Sequence, residues 1–327
     1  MASSTQTVFM LAGATATGKT ATAQLLAEHV GCGILSADAM LVYTGMDIGT
    51  AKPTPAERGN VPYAGIDLVT PAEPFSTGQW LKAAAEALHT VGHVPASRHP
   101  AAAPADPSLI VVGGTGLYIK ALTDGIQSTA VAPDIRLRWQ TLYEQEGIDG
   151  LQAALRKRAP EALGALVDTS NPRRLLRALE HLEDNGALPD QWKKTAPSNA
   201  SVVVLSLPRE QLHRRIATRV DQMFRAGFLE EVRLLRTLYP TWSATAKKAI
   251  GYEEACAILD NALTLDAARE KIIIRTRQLA KRQETWLRHQ TQAHWLMLTE
   301  QDTPQVIAER VFTLWRNHGP TTIHIPG

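Results

Sequence analysis

The stretch "GATATGKT", residues 13–20, follows the apolar run "VFMLA" and precedes the helix-like "ATAQLLAEHV". Its spacing, G-x-x-x-x-G-K-T, is that of a phosphate-binding loop. Such a loop turns main-chain N–H groups and the N-terminus of the next helix into a concave anion site. Gly13, Ala14, Thr15, Ala16, Thr17 and Gly18 supply the turn, Lys19 neutralises terminal phosphate charge, and the Thr20 hydroxyl is placed to hold a Mg²⁺. A strand before the loop and a helix after it separate the motif from a coincidental glycine-rich turn. Strand, phosphate loop and helix together open an α/β fold. What becomes of the phosphates stays open: they are handed to a substrate, hydrolysed to drive motion, or discarded as a leaving group.

Outward from the loop, strand-like and helix-like segments alternate. Residues 8–12, 33–36, 65–69 ("GIDLV") and 108–114 ("SLIVVGG") read as strands. The last is continuously apolar, as when both faces are buried in a parallel sheet. Residues 19–30 and 79–89 read as helices, so a doubly wound α/β core with a parallel sheet is expected. The stretch "VGHVPASRHPAAAPADPS" (91–108) reads as a surface insertion, with His93 and His99 as loop residues rather than metal ligands. From 126 to 200 the pattern turns helical, in "IRLRWQTLYEQEG", "GLQAALRKRAPEALGALV" and "NPRRLLRALEHLEDNG". "SVVVLSL" (201–207) returns to a buried strand, and helices fill much of the remainder, including 267–290. The expected organisation is a core of 1–125 and 201–327 with C-terminal helices, interrupted by a helical insertion domain at 126–200.

Composition narrows the class. The chain has 327 residues, 44% hydrophobic and 20% charged, as globular proteins do. No uncharged apolar run approaches the ~18 residues of a membrane span. "MASSTQT" lacks the basic patch and apolar core of a secretion signal. Two cysteines, Cys32 and Cys256, make neither a disulfide framework nor a C-x-x-C pair, which fits a reducing cytoplasm. Charge is unevenly spread: residues 1–120 carry 6 Lys/Arg against 8 Asp/Glu, whereas 209–290 carry 16 against 10 and 271–290 carry 6 against 1. The basic C-terminal part suits either an anionic partner or a solvated helix face.

Two further stretches carry chemistry. In "ILSADAMLVYTGMDIGTAKP" (34–53), Asp38 follows the second strand, at the carboxyl edge where open α/β sheets bind ligands. A carboxylate there can ligate metal, act as a base or cap the next helix. The loop "GMDIGTAKP" reads as a substrate-binding loop or a plain connector. In "VVGGTGLYIKAL" (111–122) a buried strand runs into Gly114 and Thr115, whose hydroxyl either contacts a phosphate or caps the helix. The strand does not end in the aspartate with which phosphate-loop ATPases and GTPases hold magnesium, so a switch or motor loses weight.

"GATATGKT", "ILSADA", "GMDIGTAKP", "VVGGTGLYIKAL", "NPRRLLRALE", "AIGYEEA" and "RQLAKRQETWLR" occur in this order. The chain thereby resembles the tRNA dimethylallyltransferases, also called tRNA isopentenyltransferases, over about residues 8–295. The resemblance implies a nucleoside-kinase-like phosphate-loop core with a helical insertion that grips the tRNA anticodon stem-loop. It implies transfer of the dimethylallyl group of dimethylallyl diphosphate to the exocyclic amine of the adenosine just 3′ of the anticodon. Asp38 matches the family's general base, Thr115 a threonine near the breaking bond, and Arg219 an arginine that binds the same diphosphate. The loop from Gly13 to Gly18, with Lys19 and a Mg²⁺ on Thr20, would then stabilise a departing diphosphate rather than deliver a phosphate. Asp38, Ala39, Met40, Leu41, Thr115, Arg136, Asn171, Arg173, Arg174, Lys248, Tyr252, Gln278, Lys281 and Arg282 match tRNA-facing segments, while Trp286 reads as helix packing. The chain departs from the family at Ala14 and Thr17 in the loop, at Ala39 and Leu41 where Ser and Gln are usual, and at Tyr63 and Ala64 in place of paired histidines. Alternatives are an adenylate isopentenyltransferase, a small-molecule kinase and a non-catalytic RNA-binding module. A cytoplasmic monomer is expected.

Overall fold

The computed structural model describes residues 4–91, 109–125, 131–166, 168–188 and 198–325. The chain forms two compact units, one of Met1–Gly125 with Ser198–Gly327 and one of Ile126–Pro197. The expected insertion at 91–108, with His93 and His99, lies outside the described residues apart from Val91.

In the larger unit the N-terminal elements are β1 (Ser4–Gly13), α1 (Lys19–Val30), β2 (Gly33–Ala37), α2 (Pro55–Arg58), β3 (Tyr63–Ala64), α3 (Thr77–Thr90), β4 (Leu109–Gly113) and α4 (Gly116–Asp124). The smaller unit holds α5 (Pro133–Arg158), α6 (Pro160–Ala165) and α7 (Pro172–Asn185). The larger unit resumes with β5 (Ser198–Ser206), α8 (Arg209–Arg225), α9 (Phe228–Leu238), α10 (Tyr252–Leu259), α11 (Leu265–Gln290), β6 (Thr291–Met297), α12 (Pro304–His318) and β7 (Thr321–Ile325).

Strand order is β3-β2-β4-β1-β5-β6, every pair parallel, with β7 antiparallel along the first half of β1. All five residues of β2 and all five of β4 are buried, so both faces of the sheet are covered. Their apolar side chains each contribute ~1.5–3 kcal/mol when removed from water. Phe9, Leu11, Ile34, Ile110, Val203 and Leu205 form one core with Leu26 of α1, Ile216 of α8 and Trp315 of α12. Trp315 stacks on Phe9 with ring centroids 4.5 Å apart and donates its indole N–H to the Met10 carbonyl at 3.2 Å. The phosphate-loop α/β core is therefore as the sequence reads, with corrections at the third, sixth and seventh strands. "GIDLV" is not a strand, because Gly65 (φ 75°) and Asp67 (φ 52°) leave the extended region. Only the preceding Tyr63–Ala64 pairs with β2, and Val69 makes a single bridge to Tyr43. β6 and β7 stand in a region that the sequence pattern left to helices.

The smaller unit packs Trp139, Leu151 and Leu155 of α5 against Leu175 and Leu179 of α7. α5 kinks at Gly147 (φ 66°, ψ −153°), a conformation that only glycine adopts cheaply. The buried Glu180 carboxylate accepts from Arg177 at 2.7 Å and lies 3.7 Å from Arg136.

Candidate active site

β4 lies between β1 and β2, and Gly113 is in register with both Ala12 and Ala37. The segments that follow the three strands therefore leave the sheet side by side at its carboxyl edge. They are the phosphate loop, the Asp38 segment and the Gly114–Thr115 turn.

The phosphate loop is fastened from within. The Ala14 carbonyl accepts from the Thr17 hydroxyl at 2.9 Å and from the Lys19 ammonium at 2.6 Å. Ala14 and Thr17 are fully buried, so these two departures from the family pattern fill interior positions. Ala16 sits at φ 65°, a left-handed conformation costly for a side-chain-bearing residue and typical of binding loops. Thr20, in the first turn of α1, is exposed, and its hydroxyl makes no hydrogen bond among the described residues.

Charge converges here. Burial pulls the Lys19 pKa down to about 8, with Asp38 opposing the drop and Arg219 adding to it. Arg219, from α8, donates to the Thr15 hydroxyl at 2.9 Å and to the Thr50 carbonyl at 3.0 Å. Burial lowers its pKa too, again against Asp38. Two part-buried cations beside a turn of N–H donors, with one carboxylate whose charge reaches both, make a site in want of a polyanion.

Asp38 does not cap a helix, since the next one, α2, begins at Pro55. Its Oδ1 accepts from the Met40 N–H at 2.9 Å, which fixes the half-buried Ala39, Met40 and Leu41 in a turn, and its second oxygen makes no hydrogen bond among the described residues. Thr115 precedes α4, but its hydroxyl does not cap that helix. It accepts from the Ala39 N–H at 3.0 Å, while the Thr115 N–H donates to Ala37 at 3.2 Å. Thr115 thus ties its own turn to the Asp38 segment. Trp286 of α11 lies so close over Gly116 that a Cβ there would fall 2.2 Å from the indole ring.

The loop "GMDIGTAKP" spends its charges internally. Buried Lys52 donates to the Tyr43 carbonyl at 2.7 Å, to Asp47 at 2.7 Å and to Asp67 at 2.5 Å. The Glu231 carboxylate accepts from the N–H groups of Asp47, Ile48 and Gly49 at 3.0, 2.6 and 3.3 Å, and from the Tyr252 hydroxyl at 2.7 Å. What the loop offers the site is the Thr50 carbonyl that holds Arg219.

The residues matched to tRNA-facing segments fall in three kinds of place. Gln278, Lys281 and Arg282 are exposed on one face of α11, and Lys248 is exposed in a short turn of 3₁₀ helix. Tyr252 is buried at 1% exposure, so it supports the loop through Glu231 instead of facing solvent. In the smaller unit Arg136, Arg173 and Arg174 are exposed, and Asn171 caps α7 by accepting from the Arg173 N–H at 3.1 Å. Sequence reasoning passed over Glu231 and Gln283, whose main-chain partners lie 169 to 268 positions away and leave no local signal, and over Lys52, whose partners are 5 to 15 positions away but follow no regular spacing.

No cluster of three or more His, Cys, Asp or Glu able to hold a metal occurs among the described residues. No helix among them is long and apolar enough to cross a membrane.

The family model described as "IPP transferase" matches residues 41–290, and "Isopentenyl transferase" matches residues 6–61. A tRNA dimethylallyltransferase of Syntrophobacter fumaroxidans is 41% identical over 300 residues, 88% of this chain and 82% of that protein. The crystal structure of a tRNA isopentenylpyrophosphate transferase from Bacillus halodurans superposes with a TM-score of 0.65 at 30% identity, covering 95% of this chain and 97% of that one. A eukaryotic dimethylallyltransferase acting on tRNA shares the fold at a TM-score of 0.70 and 21% identity, over 95% of this chain and 76% of its own. These matches do not favour the adenylate isopentenyltransferase or kinase alternatives. Like the tRNA dimethylallyltransferases of Syntrophobacter fumaroxidans, Streptomyces coelicolor and Thermobifida fusca that it matches at 35–41% identity, the chain is an IPP transferase: it belongs to that family.

Proposed function

We propose that the protein transfers the dimethylallyl group of dimethylallyl diphosphate to the exocyclic N6 amine of the adenosine immediately 3′ of the anticodon in tRNA, releasing diphosphate. We place it in the cytoplasm as a monomer. The observation that carries this reading is the meeting of Asp38 with the Lys19–Arg219 anion site, in a chain of this family. An adenine amine is a weak nucleophile because its lone pair is delocalised into the ring. Attack of N6 on the allylic carbon forms the N–C bond as the C–O bond to diphosphate breaks, and diphosphate leaves with the electron pair. The N6 proton passes to the free oxygen of Asp38. Lys19, Arg219 and the loop N–H groups meet the charge that develops on the leaving oxygens. Thr115 holds Asp38 at its post through Ala39.

The exposed, unbonded Thr20 hydroxyl is a hard oxygen donor that would hold a Mg²⁺ arriving with the substrate diphosphate. When bound it supplies neutralisation of the diphosphate. A base stacked in the anticodon loop must be extruded to reach Asp38. We assign Arg136, Asn171, Arg173, Arg174, Lys248, Gln278, Lys281 and Arg282 to contacts with RNA phosphates and bases. The test is incubation with labelled dimethylallyl diphosphate and unmodified tRNA. Label in the tRNA, with one diphosphate released per group transferred, is expected. Unlabelled tRNA together with phosphate transfer from ATP to a small acceptor overturns the reading.

A further inference from the structure

Gln283, half-buried on α11, hydrogen-bonds two of the loops that build the site. Its Oε1 accepts from the Thr15 N–H at 2.9 Å, and its Nε2 donates to the Gly114 carbonyl at 3.1 Å. A main-chain donor on one side and a main-chain acceptor on the other admit a single orientation of the amide. Among the described residues no other side chain bonds both the phosphate loop and the turn after β4. The fit is close: a Cβ on Gly114 would fall 2.4 Å from Gln283 Nε2 and 2.9 Å from the Gly13 carbonyl oxygen. Three residues on, Trp286 covers Gly116, so one face of α11 is keyed to this turn at two successive points.

The chain of bonds runs through the site. Gln283 holds Thr15, whose hydroxyl receives Arg219 on the diphosphate side. It also holds Gly114, next to Thr115, and Thr115 holds Ala39 beside Asp38 on the acceptor side. The sheet fixes where the three strands end but not how far apart the segments beyond them stand. We infer that Gln283 is a positioning residue that sets the separation between the bound diphosphate and Asp38. The inference rests on the reaction proposed above for its catalytic consequence, but its structural half does not. Displacement at carbon needs the nucleophile in line with the leaving group across the carbon and the base within reach of the departing proton, so loosening that separation acts on the chemical step more than on binding.

The test uses Gln283→Leu, which removes both bonds, and Gln283→Glu, which keeps the acceptor for Thr15 but loses the donor to Gly114 and adds a negative charge. In Gln283→Leu, amide exchange is expected to speed up in peptides spanning both 13–20 and 113–118, with exchange in the β1 and β4 interior unchanged. Transfer should fall about 10- to 100-fold in kcat while the KM values for dimethylallyl diphosphate and tRNA move less than about threefold. Gln283→Glu should in addition raise the KM for the diphosphate. A kcat within about twofold of wild type, or faster exchange in one loop alone, overturns the inference. If the wild-type protein transfers nothing to tRNA, the proposed reaction fails, and the paired exchange result alone decides whether Gln283 links the two loops.

Discussion

Affinity for a diphosphate should decline through the mildly alkaline range, and Lys19 sets where. In the ligand-free protein burial takes its pKa from 10.5 to about 8, a differential cost of about 3 kcal/mol for carrying charge in the fold. The cost is present in full below pH ~8 and fades as pH rises towards 10.5, so this group makes the ligand-free protein more stable at higher pH. A bound polyanion reverses the balance, because it favours the ammonium and raises the pKa again. From pH 7 to pH 9 the protonated fraction of Lys19 falls from about nine-tenths to about one-tenth, so the Kd should rise about tenfold. Titration calorimetry with a diphosphate monoester, repeated at pH 9 in buffers of different ionisation enthalpy, should find close to one proton taken up per ligand bound. Lys19→Arg keeps its charge throughout, so dividing by its pH profile removes the ligand's own ionisation. Lys19→Met should raise the ligand-free stability at pH 7 by about 2 kcal/mol, the relieved cost less the hydrogen bond to Ala14. Parallel pH profiles for wild type and Lys19→Arg would refute the reasoning.

Asp38→Ala should lower transfer by at least ~100-fold with tRNA affinity nearly unchanged. Because Asp38 raises the Lys19 pKa, its removal should also move the alkaline loss of diphosphate binding to lower pH, which the same calorimetry reads. A large loss of tRNA affinity instead makes Asp38 a binding residue. Lys281→Ala and Arg282→Ala should each weaken tRNA binding and reduce the slope of log K against log salt by about 1, with diphosphate affinity unchanged. An unaltered slope places both charges off the RNA path. Glu231→Gln should destabilise the larger unit by about 2 kcal/mol in denaturant titrations, since three N–H groups and the Tyr252 hydroxyl lose their carboxylate. A change under ~0.5 kcal/mol would mean that the loop stands without it.

The phosphate loop is legible because strand, turn and helix are contiguous and each leaves its own mark between residues 8 and 30. Asp38 and Thr115 are legible one step further, because a strand followed by a polar residue in a parallel sheet puts that residue at the ligand-binding edge. Where the reading fails, a distant side chain decides the backbone. "GIDLV" has the composition of a strand, but the Asp67 carboxylate is drawn to the buried Lys52 ammonium and its N–H to the Leu41 carbonyl, so the chain turns where propensity would extend it. β7 is short and pairs at the far end of the chain from its partner β1, and β6 alternates exposed and buried positions too irregularly to stand out.

Gln283 marks the limit of reading by motif. It belongs to "RQLAKRQETWLR", a stretch in which resemblance assigns Gln278, Lys281 and Arg282 to RNA and passes over Gln283. Five positions beyond Gln278 on an α-helix is a rotation of about 140°, so the two glutamines address different faces. Gln278 looks out with Lys281 and Arg282, whereas Gln283 looks in, at an amide 268 positions earlier in the chain. Nothing local distinguishes these roles, because both are polar residues on an amphipathic helix. The distinction arises only from where α11 passes the turn after β4, and that path is set by packing such as Trp286 over Gly116. One helix can therefore carry the proposed RNA face on one side and the spacing of the reacting groups on the other.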